Sequence, residues 1–196
     1  MNYKIFRYIR LDHDHTMYST EIIPEFNWDS KQFMELWDTH PLNYHTIRIR
    51  GKEIPTPRWQ QAYGKNYRYS GSLNNALPIN DLLLPFLNWS RENVDERLNG
   101  LLLNWYDGQK GHYIGPHRDD TRDLYADSPI VTISLGQERI FRLRPLGRQG
   151  FHDIIVRNGS VVIMPAEINK RWTHEIPKMK KYDGKRISVT LRAFRE

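Results

Sequence analysis

Beyond residue 100 the apolar residues fall into short runs of strand length, at 101–106, 130–135, 139–144, 154–157, 160–164 and 186–194. Gly and Pro punctuate the gaps, among them Gly111, Pro116, Gly136, Gly147, Gly159 and Gly184, where the chain must reverse. That spacing predicts a β-sandwich or jelly roll. The last run is the most regular: Arg186, Ser188, Thr190 and Arg192 share one face, and Ile187, Val189 and Leu191 the other. With the apolar face packed between sheets, the polar face is either solvated or lines a cavity. The first hundred residues read differently. Asp29 and Ser30 can cap a short helix carrying Phe33, Met34, Leu36 and Trp37 at helical spacing, expected to pack on a sheet. A second helix is predicted from near Pro85 to about Asn99, approached by Asn80 or Asp81 and stopped by Gly100. The predicted class is α+β, mainly β, a jelly roll with flanking N-terminal helices.

No internal repeat or linker divides the 196 residues, so a single domain and a monomer are expected. Hydrophobic residues at 39% and charged residues at 27% suffice for a core and lack the signature of disorder. The longest nearly apolar stretches, 82–87 and 130–135, fall far short of the ~18–20 residues of a membrane helix. The first ten residues interrupt their apolar positions with Lys and Arg, unlike a signal peptide. An intracellular protein with no membrane partner is expected. The absence of Cys excludes disulfides, thiolate metal sites and cysteine nucleophiles, so any metal must sit on His and carboxylates. A net charge of +6 with 6 Trp, 11 Tyr and 7 Phe suits a surface that neutralises phosphates and stacks bases. Lys178, Lys180, Lys181 and Lys185, with Arg139, Arg142, Arg144, Arg148 and Arg186, are its candidate cations.

His117 and Asp119 stand at i and i+2, on one side of an extended chain. With His174 as a second histidine they have the composition of a facial triad, which leaves metal positions open for other ligands. Arg186 and Arg192 suit the ends of a small dicarboxylic acid, because a guanidinium grips a carboxylate through paired hydrogen bonds. They lie roughly 20 Å apart along a strand at ~3.3 Å per residue, so they would have to lean inward. Asn104 and Tyr106 share a strand face and can donate to carboxylate oxygens. A rival cluster, Asp12, His13, Asp14 and His15, lies outside the β-rich half and has no partnering arginines; it reads as a solvated polar segment.

The order Asn104-Trp105-Tyr106, His117-Arg118-Asp119-Asp120, Ser128-Pro129-Ile130, His174 and Arg186 to Arg192 resembles the AlkB family of Fe(II)- and 2-oxoglutarate-dependent dioxygenases, in its nucleic-acid demethylase branch. The segments 57–64 and 67–71 match as well, so the resemblance spans about 47–194. It implies a double-stranded β-helix, with 1–45 as an N-terminal flank, 46–100 as a nucleotide-recognition region and 101–196 as the catalytic core. It further implies Fe(II) on His117, Asp119 and His174, and 2-oxoglutarate held by Asn104, Tyr106, Arg186, Thr190 and Arg192, with O2 as the oxidant. Tyr67, Tyr69, Ser70 and Asp120 then fall at the flipped base, Tyr69 and His117 enclosing it. The implied reaction removes N-methyl groups from bases such as 1-methyladenine and 3-methylcytosine in DNA or RNA, releasing formaldehyde, succinate and CO2. Such an enzyme is expected in the nucleus of a eukaryote and otherwise in the cytoplasm.

Three departures qualify the match. Arg50 stands where duplex-preferring members carry an aromatic finger, which favours single-stranded or locally opened DNA. Thr121 follows Asp120 where Glu is frequent, and Ser188 replaces a frequent Asn. Two other functions share parts of this pattern: a 2-oxoglutarate-dependent hydroxylase of proteins or small molecules, and a non-catalytic single-strand binding module. The second would be signalled by loss of a metal ligand or an anchoring Arg, and none is lost.

Overall fold

The computed structural model describes residues 5–49, 51–69 and 71–196. The chain opens with a hairpin, β1 (Arg7–Arg10) and β2 (Thr16–Ile22), a 3-10 turn (Pro24–Phe26) and helix α1 (Ser30–Trp37). Then come β3 (Thr46–Ile49) and β4 (Lys52–Pro55), β5 (Trp59–Tyr63), the hairpin β6 (Tyr67–Tyr69) and β7 (Ser72–Asn74), β8 (Ala76–Leu77) and helix α2 (Leu84–Asn93). Eight strands follow: β9 (Gly100–Asp107), β10 (Ile114–His117), β11 (Ile130–Gly136), β12 (Arg139–Pro145), β13 (His152–Val156), β14 (Ser160–Met164), β15 (Trp172–Ile176) and β16 (Lys185–Arg192). A short helix α3 (Ala166–Arg171) precedes β15. No helix among the described residues is long and apolar enough to cross a membrane.

The last eight strands form a double-stranded β-helix, as expected. Four of them, ordered β14-β11-β16-β9, sit in an eight-stranded sheet, and the other four make the facing sheet β10-β15-β12-β13. The N-terminal segment extends the large sheet through β1 and β2, and β5 and β8 extend its other edge. The pairings in both sheets are antiparallel except β5 with β8.

The central strands of the large sheet are buried on both sides, and their alternation decides what lies where. Leu101, Leu103 and Trp105 of β9, with Ile187, Val189 and Leu191 of β16, pack under α1 and α2 against Leu36, Trp37 and Phe86. Each such burial stabilises the fold by roughly 1.5–3 kcal/mol. Trp105 also satisfies its indole N–H on the Leu36 carbonyl at 3.2 Å. The apolar face of β16 therefore meets helices, and the polar face, Arg186 to Arg192, is the one enclosed between the sheets. Tyr106, Val162 and Met164 share that interior with Phe141, Leu143 and Ile176 of the small sheet.

Local chemistry sets the element ends. Asp29 caps α1 by accepting from the Gln32 N–H at 2.9 Å, while Gln32 accepts from the Asp29 N–H. Helix α2 stops at Asn93, earlier than expected, because Asp95 spends its carboxylate on the backbone and side chain of Arg97 and on Ser128, a local turn that competes with the helix. Gly136 turns β11 into β12 at φ +82°, and a Cβ there would come within 2.5 Å of the Lys185 carbonyl. α3 and the hairpin of β1 and β2 were not among the predicted elements.

Candidate active site between the two sheets

Antiparallel pairing of β10 with β15 sets His117 opposite His174, with ring centroids 4.2 Å apart. Asp119 follows β10 and turns its Oδ1 to both rings, 3.8 Å from Nε2 of His117 and 3.7 Å from Nε2 of His174. One donor atom from each of the three residues lies within 4.8 Å of the others. The His117 Nδ1–H donates to the Gly115 carbonyl at 2.9 Å, so its Nε2 lone pair faces inward. Burial, reinforced by the neighbouring His174, depresses the pKa of His117 to about 3, and burial lowers that of His174 too. Burial opposes ionisation of Asp119, but the charges of Arg192 and the two histidines hold its carboxyl well below the usual range. Neutral imidazoles beside an ionised carboxylate are the protonation states that metal coordination requires. The donor set, two nitrogens and one oxygen on one side, fits a divalent transition metal with open positions.

Two residues that sequence reasoning gave no such role hold Asp119 in place. The Arg192 guanidinium donates to Oδ2 through Nε at 3.0 Å and Nη2 at 2.7 Å. Asn169 of α3 accepts from the Asp119 N–H at 2.9 Å and donates to its carbonyl at 3.1 Å. Arg192 was expected at a cosubstrate carboxylate; here its hydrogen bonds go to Asp119. No motif marked Asn169, since it lies in a helix that the sequence pattern did not reveal.

The cavity beside this cluster is lined by Asn104, Tyr106, Arg186, Ser188 and Thr190. Arg186 is 1% exposed and, among the described residues, donates once, to the Ser134 hydroxyl at 2.9 Å, with no partner for Nε or Nη1. Its guanidinium lies 5.1 Å from the Tyr106 ring, and burial pushes its pKa down to about 10. A buried cation without a carboxylate is expensive, so the cavity fits an anion whose carboxylate completes it. Thr190 meets Thr132 at 3.4 Å across β16 and β11, which adds hydroxyl donors to the same wall.

Tyr69 lies at the cavity mouth, its ring edge-on to His117 at 5.6 Å between centroids and 89° between planes. Tyr67 is buried under the Arg192 guanidinium at 4.2 Å. Asp120, in a neighbouring cleft with Tyr69 and His117, is paired with Arg122, whose Nε lies 3.0 Å from Oδ1. Arg50 and Ser70 lie outside the described residues.

Two other readings meet the geometry: the Asp12 to His15 cluster is a polar turn, as expected, and the set of candidate phosphate cations is corrected. Asp12 accepts from the Asp14 and His15 N–H groups at 2.9 Å and pairs with His15 at 2.7 Å, so the Asp12–His15 segment closes the turn between β1 and β2. Of the candidate phosphate cations, Arg139 and Arg186 are buried, and Arg142 and Arg144 are paired with Asp153 and Glu175. Lys178, Lys180, Lys181, Lys185 and Arg148 remain exposed.

Comparison with known proteins places this geometry in a family. Residues 16–192 match the 2OG-Fe(II) oxygenase superfamily, and the chain belongs to it. The family implies Fe(II), 2-oxoglutarate and O2, which the donor cluster and the unpaired Arg186 fit. The chain is 33% identical over 162 residues to the DNA oxidative demethylase ALKBH2 of Bos taurus, covering 74% of this chain and 56% of that protein. It is 30% identical over 195 residues to ALKBH2 of Arabidopsis thaliana, covering 82% and 60%. To the alpha-ketoglutarate-dependent dioxygenase alkB homolog 3 of Rattus norvegicus it is 29% identical over 153 residues, covering 70% and 50%. The chain thus spans little more than half the length of these relatives. The solved structure of OsALKBH1 superposes with a TM-score of 0.61 at 16% identity over 95% of this chain and 99% of that one, a likeness of fold.

Proposed function

We propose that this protein is an Fe(II)- and 2-oxoglutarate-dependent dioxygenase that demethylates N-alkylated bases, such as 1-methyladenine and 3-methylcytosine, in nucleic acid. The observation that carries the reading is the adjacency of the His117, Asp119 and His174 donors to the carboxylate-free Arg186 in one cavity. His117, Asp119 and His174 hold the metal. Arg186 takes the far carboxylate of 2-oxoglutarate, and Asn104, Tyr106 and Thr190 orient the molecule. Arg192 serves Asp119, which leaves a single carboxylate oxygen for the metal. Fe(II), 2-oxoglutarate and O2, held by these residues, would supply the oxidation that releases succinate, CO2 and formaldehyde.

Tyr69, Tyr67 and Asp120, with Ser70, form the base side, where an extruded base is stacked and its edge read. The names of the relatives at about 30% identity support DNA as substrate. Arg50, in place of the aromatic finger of duplex-preferring relatives, favours single-stranded or locally opened DNA, with RNA as a further substrate. A monomer is the working form, and an intracellular site, nuclear in a eukaryote, follows from such a substrate. Residues 46–100 supply the recognition hairpins, 101–196 the catalytic core and 1–45 the flank.

The test is mass spectrometry of a short single-stranded oligonucleotide carrying either lesion, incubated with Fe(II), ascorbate and 2-oxoglutarate. Loss of one methylene mass that requires 2-oxoglutarate and disappears in His117→Ala is expected. Succinate formation with no change in any oligonucleotide would move the substrate to a protein or small molecule.

A further inference from the structure

Asn104 lines the cavity with a side-chain amide, whose two ends differ in chemistry but hardly in shape. Arg58 decides which end goes where. This arginine immediately precedes β5, is 2% exposed, and donates through Nε to Oδ1 of Asn104 at 2.7 Å. A guanidinium has only donors, so Asn104 must give it the oxygen and keep its NH2 for the cavity. Through Nη2 the same cation donates to Oε1 of Gln60 at 3.0 Å. Gln60 must therefore donate to Asn74 at 2.9 Å, and Asn74 in turn donates to the Tyr67 carbonyl at 3.3 Å. One donor-only group thus fixes the direction of three buried amides, from β9 across β5 to the hairpin of β6 and β7. The guanidinium also lies 5.7 Å from the Tyr69 ring on that hairpin. Its hydrogen bonds go to neutral amides, a costly arrangement for a buried cation.

We propose that Arg58 is a positioning residue: it presents the Asn104 NH2 to a cosubstrate carboxylate and links cosubstrate occupancy to the seating of Tyr69. The proposal rests on the 2-oxoglutarate reading above. A carboxylate accepting from the Asn104 NH2 polarises that amide and strengthens its oxygen as an acceptor for Arg58. The negative charge also draws the guanidinium towards the cavity and alters its contact with the Tyr69 ring.

The experiment uses the full chain labelled with fluorotyrosine and loaded with Zn(II), followed by fluorine NMR. The Tyr69 and Tyr106 signals are assigned by Tyr→Phe substitution. Tyr106 lines the cosubstrate cavity and reports binding; Tyr69 reports the coupling. Adding 2-oxoglutarate to the native protein is expected to shift both signals with one midpoint. In Arg58→Gln, whose amide can present either end to Asn104, 2-oxoglutarate is expected to bind about tenfold more weakly, the worth of one hydrogen bond to a charged group. The Tyr69 shift should vanish while the Tyr106 shift persists. A native Tyr69 signal that stays still while Tyr106 moves overturns the proposal without touching the cosubstrate site. So does an Arg58→Gln protein that binds 2-oxoglutarate within twofold of native and still moves Tyr69. If neither tyrosine responds in the native protein, the cosubstrate reading falls and takes this one with it. Should Arg58→Gln fail to fold, the native titration decides alone.

Discussion

Arg192 occupies one oxygen of Asp119 and leaves the other facing His117 and His174. The two side chains are almost wholly buried, at 4% and 2% exposure, so this pair is not screened by solvent. Removing one member of a buried pair costs roughly 3–5 kcal/mol, because the other charge is left uncompensated. Arg192→Ala should therefore lower Tm in the metal-free protein. Weakening the orientation of a ligating carboxylate typically costs about 10–100-fold in metal affinity, and that loss is expected here. Calorimetric titration with Mn(II) measures it; an unchanged affinity would show that Arg192 does not orient Asp119.

Arg186 behaves in the opposite sense. Its Nε and Nη1 are buried without protein partners, so unless a carboxylate binds, the protein bears the cost of a desolvated cation. Arg186→Met keeps much of the volume and removes the charge, and should leave Tm equal or higher while 2-oxoglutarate binding is lost. In the native protein, 2-oxoglutarate should stabilise the fold by mass action, by about 2.7 kcal/mol at a free concentration a hundredfold above Kd, and so raise Tm. Thermal melts with and without the acid check both statements. A large drop in Tm for Arg186→Met would mean that the cation supports the fold rather than a ligand.

Much of this site was legible because its residues sit on regular strands. The alternation 186–192 named the cavity wall, and the His-x-Asp spacing named two donors. What strands do to each other was less legible. Nothing local shows that β10 pairs with β15 in the register that puts His117 against His174, since that pairing joins segments almost sixty residues apart. The faces of β16 were separable but not assignable: an alternating strand in a sheet covered on both sides can turn its apolar face to helices or to the facing sheet. Arg58 and Gln60 carried a usable signal, two polar residues at period two where β5 begins, beside Trp59 and Ala62. The short β1, β10 and α3 are too brief for periodicity to declare.

His112 gives a pH dependence with a defined sign. The Asp107 N–H donates to its Nδ1 at 3.1 Å, so the neutral ring carries its proton on Nε2, 2.9 Å from the Tyr44 hydroxyl. Protonating Nδ1 would break the first bond, and burial holds the pKa below its ordinary value. A depressed pKa means that the unfolded chain takes up the proton first, so this stability is present above the unfolded value near 6.5 and is lost as pH falls below it. Asn at this position can offer an oxygen to the Asp107 N–H without titrating. The fall in Tm of metal-free protein between about pH 7 and 5 should be shallower in His112→Asn than in the native chain. Equal slopes would assign the whole dependence to the other buried histidines.

Asp120 and Arg122 set the last expectation, which concerns the charge of the base. The methylated bases proposed as substrates are cationic, and Asp120 offers a carboxylate in the cleft beside Tyr69 and His117. In the free protein Arg122 already holds it, with Nε at 3.0 Å and 3.1 Å from its two oxygens, and lowers its pKa. Arg122 is 70% exposed at its side chain, so solvent screens the pair and a substrate can displace it. Removing Arg122 spares that displacement and takes a like charge away from the base. Arg122→Ala should therefore lower KM for a cationic methylated oligonucleotide by up to about fivefold at low salt, with kcat and the KM for 2-oxoglutarate unchanged. The gain should shrink as salt rises. Steady-state kinetics on single-stranded substrate decides between this and the opposite role, in which Arg122 binds the nucleic-acid phosphates and its loss raises KM at every ionic strength.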